Sequence, residues 1–114
     1  MKALFVELPP FERKRATYLK DDSFREFQNT LLANPDAGDV IQGTGGLRKV
    51  RYTDSRRGKG KRGGIRVIYF WWEAGCQFWL FTLFDKDESD DLTAEQRKIL
   101  KTLLKTELTL RSTR

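Results

Sequence analysis

Residues 65–84 read IRVIYFWWEAGCQFWLFTLF, and the fold turns on how this stretch divides. Ile65 to Trp72 is apolar after Arg66, and Phe78 to Phe84 is nearly so, which marks two central strands covered on both faces. Between them Glu73-Ala74-Gly75 forms a three-residue connection. Its glycine stands third, where a type I turn with a G1 bulge takes a left-handed residue. On that geometry Trp72 pairs with Cys76 and Arg66 lies opposite Thr82. Lys86 then falls on the same face as Arg66, at the same end of the sheet, whereas a slip of one residue would separate the two.

Immediately upstream, Leu47 to Arg66 reads LRKVRYTDSRRGKGKRGGIR and holds nine Lys or Arg against one acid, Asp54. The stretch carries +8 of a chain whose net charge is +6, so the basicity is local. Leu47 to Thr53 alternates as a half-buried strand, with Lys49 and Arg51 on one face and Val50 and Tyr52 on the other. The loop Asp54 to Gly64 follows, glycine-spaced and without apolar residues. Glycines let backbone amides approach phosphates and the cations neutralise them, so the segment suits a polyanion. A solvated hairpin tip has the same composition.

Toward the N-terminus, Ala3 to Glu7 is a strand candidate ended by Pro9-Pro10, one of which fits the first turn of a helix. From Phe11 the pattern is helical, with Phe11, Tyr18 and Leu19 on its apolar side. Asp21-Asp22 is expected to break that helix, and Ser23 to Glu26 has the S-x-x-E form of a capping box. Phe24, Phe27, Leu31 and Leu32 then continue at spacings of three and four up to Asn34-Pro35, a stop signal. The segment to Gly46 reads as loop, and Gly43-Thr44-Gly45-Gly46 lacks the spacing of a phosphate-binding P-loop. Downstream, Thr93-Ala94-Glu95-Gln96 is a second capping box with Leu92 as a staple. Ile99, Leu100, Leu103, Leu104 and Leu108 form a core stripe opposite Arg97, Lys98, Lys101 and Lys105, and Leu110 to Arg114 should fray. The basic side of this helix reads first as a solvated face and second as a nucleic-acid contact. The order strand, two helices, three strands, helix predicts an α+β fold as one domain, residues 1–114.

Exclusions narrow the chemistry. The 114 residues include no histidine and one cysteine, Cys76. That removes an intrachain disulfide, a Cys/His zinc site and any hydrolase triad built on histidine. The acidic run Asp85 to Asp91 reads as a solvated approach to the last helix, and Cys76 as a small structural residue. All three tryptophans, Trp71, Trp72 and Trp79, read first as core. No apolar run approaches the length of a membrane span or the pattern of a secretory leader, which predicts a soluble, cytoplasmic protein.

The segments GTGGLRKVR, GKGKRGGIRVIYF and FDKDESDDLTAEQ together resemble the RelE/HigB-type toxins of bacterial type II toxin-antitoxin modules, most closely the HigB-like branch with the GKGKRGG loop. The resemblance runs from Gly38 to Leu104 and implies a RelE-like fold: an N-terminal strand, a two-helix hairpin, a three-stranded antiparallel meander and a C-terminal helix. It implies a monomeric, metal-independent endoribonuclease without cofactor, which enters the ribosomal A site and cuts the mRNA there. A cognate helix-turn-helix antitoxin would hold it inactive. Lys49, Arg51, Arg66 and Lys86 correspond to the basic residues around the scissile phosphate. Arg48, Arg56, Arg57, Lys59, Lys61 and Arg62 are the expected RNA contacts, Lys59 and Lys61 fitting either RNA contact or a share of the active site. One position departs from the pattern: Leu92 stands where relatives carry a tyrosine used in proton transfer. The base thus stays open between a lysine, Lys86 first, and Glu88. Two further readings use the same scaffold, a non-catalytic RNA- or ribosome-binding module and a gyrase-inhibiting toxin.

Overall fold

The computed structural model describes residues 2–52, 64–85 and 91–112. The chain runs β1 (Leu4–Glu7), α1 (Pro9–Tyr18), α2 (Asp21–Ala33), β2 (Asp39–Val40), β3 (Arg48–Tyr52), β4 (Ile65–Trp72), a 3₁₀ turn (Glu73–Gly75), β5 (Gln77–Asp85) and α3 (Ala94–Ser112). The strands form one five-stranded sheet in the order β1-β5-β4-β3-β2. β1 runs parallel to β5, and the other neighbours are antiparallel. The architecture is α+β, as the sequence predicts, with the two apolar runs at the centre of the sheet.

Each face of the sheet carries its own apolar cluster. Phe11 and Leu19 with Phe27 and Leu31 of α2 meet Val67, Tyr69, Phe78 and Leu80 on one face. Leu100 and Leu104 of α3 meet Ile68, Trp79, Phe81 and Phe84 on the other. Burying each such aromatic or leucine contributes about 1.5–3 kcal/mol relative to leaving it in water. This double cover explains why β4 and β5 read as continuous apolar runs. Trp79 is fully buried, while Trp71 and Trp72 are half-buried and pack on opposite faces, so only one of the three tryptophans is core in the strict sense.

The β4–β5 register differs from the expected one. Trp72 pairs with Gln77, and the ladder shifts between Ile68 and Tyr69, because Ile68 faces Thr82 while Tyr69 faces Leu80. Phe81 is therefore the extra residue of a bulge, and Arg66 pairs with Phe84 rather than Thr82. The connection departs too: Cys76, at φ 55°, holds the left-handed conformation expected of Gly75. Gly75 is required by a close approach instead, since a Cβ there would stand 2.3 Å from the Trp72 ring.

Three local expectations also change. α2 begins at Asp21, with Ser23 buried inside it, so the Ser23 capping box does not form. Two acids in a first turn stabilise the helix through its dipole, and Asp21 pairs with Arg15 at 3.3 Å. The segment before Gly46, expected to be loop, contains the short edge strand β2. The leucine stripe of α3 is only partly core: Leu100 and Leu104 are buried, but Ile99 is 52% and Leu103 38% exposed. Each lies one residue, about 100°, around the helix from its buried neighbour. α3 continues to Ser112 instead of fraying at Leu110, held by the Arg111–Glu107 pair at 2.8 Å and by Arg111 over the Trp79 ring.

Candidate nucleic-acid interface

β3 and β4 carry the site. Arg51 pairs directly with Arg66, and Lys49 with Ile68, so the two-residue strand period puts Lys49, Arg51 and Arg66 on one face, the face that α3 partly covers. Two arginines directly opposite each other repel. The cost is visible at Arg66, which is 7% exposed. Burial first, and the charge of Arg51 second, hold its pKa below the ordinary arginine value, against the opposing pull of Asp85 and Asp91. It stays cationic at any working pH. Arg51 is exposed and makes no hydrogen bond or ion pair among the described residues. Such a pair presents a planar, multidentate donor surface to an anion.

Lys49 is held differently. Its Nζ donates to Asp91 Oδ1 at 3.1 Å, and Arg97 Nη2 donates to Asp91 Oδ2 at 3.4 Å. Oδ1 also accepts the Leu92 backbone N–H at 2.7 Å. That backbone bond is the largest reason the Asp91 carboxyl sits below its usual pKa, with Lys49 and Arg97 adding to it against partial burial. Asp91 can reach Lys49 because α3 starts where it does. Thr93 N donates to Gln96 Oε1 at 2.8 Å and Gln96 N to Thr93 Oγ1 at 3.1 Å, the reciprocal capping box expected from sequence.

Asp91 is thus no solvated spacer, and Arg97 does not belong only to a solvated helix back. Both join the site, and the sequence reading missed them. One signal was available: helical side chains lean toward the N-terminus, so Arg97, one turn beyond the Thr93 cap, is aimed at what precedes the helix.

Arg48, expected to contact RNA, is not brought to this group. It lies on the opposite face, where its Nη1 donates to the Asp36 and Gly38 carbonyls at 2.9 and 3.2 Å and ties down the turn after α2. Tyr69 tethers the same turn through its hydroxyl, bonded to the Pro35 and Ala37 carbonyls at 2.8 and 2.7 Å. Lys86, Glu88, Arg56, Arg57, Lys59, Lys61 and Arg62 lie outside the described residues. Leu92, which the sequence resemblance sets where relatives carry a tyrosine, packs against the α3-side cluster. Among the described residues no group of three metal-ligating side chains occurs, and no helix is long and apolar enough to cross a membrane.

These features define a small α+β protein with helices packed on both faces of a mixed sheet and cations opposed across two of its strands. No family model matches the chain. Among solved structures, the toxin RelE of E. coli, an arginine-to-alanine double mutant in the free state, is similar with a TM-score of 0.56. The likeness covers 79% of this chain and 90% of that one at 11% identity. The fold is RelE-like.

Proposed function

We propose that this chain is the toxin of a toxin-antitoxin pair, of the HigB-like branch, and acts as a ribosome-dependent mRNA endonuclease in the cytoplasm. The observation that carries the reading is the Arg51–Arg66 pair on a RelE-like fold, two cations set against each other where an RNA phosphate would relieve their repulsion. In the reaction the RNA 2′-hydroxyl attacks the adjacent phosphorus and the bond to the 5′-oxygen breaks, leaving a 2′,3′-cyclic phosphate and a 5′-hydroxyl. Arg51 and Arg66 hold the phosphoryl oxygens, where charge builds in the transition state. The 2′-hydroxyl proton passes to a base and the leaving oxygen receives one from an acid; Lys86 and Lys49 are assigned to these transfers. Arg56, Arg57, Lys59, Lys61 and Arg62 would grip the backbone of message or ribosomal RNA. A helix-turn-helix antitoxin would keep the toxin inactive.

Primer extension on mRNA from cells expressing the protein tests the reading. Codon-phased cuts in translated messages support it, with Arg66→Ala and Lys86→Ala each reducing cleavage at least about a hundredfold. Blocked translation with intact message would instead favour a non-catalytic ribosome-binding module, a reading that Leu92 in the tyrosine position keeps in play. DNA-damage signalling with intact message would favour the gyrase-directed alternative.

A further inference from the structure

Beside Lys49 lies a polar cleft of about 220 Å³, walled by Asp39 to Gln42 on the sheet edge and by Asp91 and Arg97 on the other side. Its charges cancel: Asp39 and Asp91 oppose Lys49 and Arg97. A phosphate entering it would meet two carboxylates, so the cleft differs in kind from the neighbouring Arg51–Arg66 pair. Hydrogen-bonding groups remain. Among the described residues Arg97 Nε is buried with no hydrogen-bond partner, although Nη2 of the same guanidinium is held by Asp91. A buried donor left without a partner costs on the order of 1–3 kcal/mol, which a ligand acceptor recovers once the guanidinium turns Nε toward the cleft. Gln42 supplies one amide donor group and one acceptor, and Asp39 supplies acceptors. This mixture of donors and acceptors without net charge matches the edge of a nucleobase.

The position fits as well. Lys49 forms part of the cleft and stands two residues from Arg51 on the same face of β3, a separation of roughly 7 Å. The base of a nucleotide lies about that far from its phosphate. We propose that the cleft is a nucleoside subsite, taking the base of the nucleotide that adjoins the phosphate held by Arg51 and Arg66 and so biasing which sequences are cut. This rests on the RNA-cleaving reading for its consequence, though the binding itself is measurable without cleavage.

The test uses the ¹⁵N-labelled full-length protein, titrated separately with each of the four 3′-nucleoside monophosphates and with inorganic phosphate. The Arg97 Nε–H resonance is assigned by its loss in Arg97→Lys. Expected are saturable shifts of Arg97 Nε–H and of the Gln42 side-chain amide with nucleotides, differing in affinity between bases, and none with inorganic phosphate. Gln42→Ala should weaken nucleotide binding about tenfold. The proposal is overturned if inorganic phosphate moves these resonances as nucleotides do, or if nucleotides leave them in place. Cleavage is scored separately by sequencing RNA ends. Nucleotide-specific shifts without cleavage would keep the subsite and sink the nuclease reading, whereas codon-phased cleavage with an unmoved Arg97 Nε–H would do the reverse.

Discussion

Replacing Arg66 with methionine should make the protein more stable and, under the proposed function, abolish RNA cleavage. Arg66 is 7% exposed and faces Arg51 across the β3–β4 ladder, and its pKa is lowered because the charged form is disfavoured there. Removing like charges directly opposite each other recovers roughly 0.2–1 kcal/mol. Removing the guanidinium also recovers its desolvation cost, roughly several kcal/mol for a buried ion. Lost attraction to Asp85 and Asp91 works against both, since those carboxylates pull the pKa back up. A net gain of about 1 kcal/mol is the expectation, which for a domain of this size raises Tm by roughly 4 °C. Paired thermal melts at low and high salt provide the assay, with a phosphate titration alongside. Salt screens the repulsion in the wild type, so the gap between the two proteins should narrow as ionic strength rises. Phosphate should raise the Tm of the wild type and leave Arg66→Met unmoved, because only an intact arginine pair gains from an anion. A loss of about 1 kcal/mol or more in Arg66→Met would refute the reasoning. Arg66 would then be a structural tie and not a cation held at a cost for a ligand.

Other perturbations follow from the same contacts. Tyr69→Phe should cost about 1–3 kcal/mol, because the Pro35 and Ala37 carbonyls lose their donor. Burial raises the Tyr69 pKa above its ordinary value of 10.0. Its contribution is therefore whole below about pH 10 and is lost as pH climbs beyond, an alkaline limb that melts of Tyr69→Phe should lack. Asp91→Asn should cost under about 1 kcal/mol at neutral pH, its partners being part-exposed. The folded Asp91 pKa is depressed, so its contribution is present above about pH 4 and lost as pH falls through the folded value. Urea unfolding of the variant should accordingly show a shallower acid limb. Gly38→Ala should lower the urea midpoint by the equivalent of more than about 2 kcal/mol, since Gly38 has φ +82° and a Cβ would lie 2.2 Å from the Lys49 carbonyl oxygen. Thr93→Ala should cost about 1 kcal/mol by removing one half of the α3 capping box, read as a lower Tm.

Much of the fold was legible because it is written in local patterns. The apolar runs of β4 and β5, the Thr93-to-Gln96 cap and the Asn34-Pro35 stop each depend on neighbours within a few residues. The face shared by Lys49 and Arg51 follows from a period of two. Other features escaped for physical reasons. β2 is two residues long, and pairing with β3 defines it where its own composition does not. The extent of the α3 core depends on which residues of a leucine-rich helix meet the sheet, and 3.6 periodicity alone did not separate Leu100 from Ile99. The β4–β5 register was displaced once at the turn and once at the Phe81 bulge. The two errors of one residue sum to two, so Arg66 kept its predicted face while changing partner from Thr82 to Phe84.

By itself, then, the sequence determined the types of the long elements, the α+β class and the strand face on which Lys49 and Arg51 stand, because side-chain alternation and helix capping are local physics. Alternation already sets Arg48 on the other face; tertiary structure alone decided that Arg48 ties down the turn after α2 and that Arg51 faces Arg66. It also brought Asp91 to Lys49 across 42 residues of chain and set Arg97 beside them, on the wall of a cleft with balanced charges. Those outcomes depend on strand pairing and on where α3 docks, and neither is encoded within a window short enough to be read along the chain.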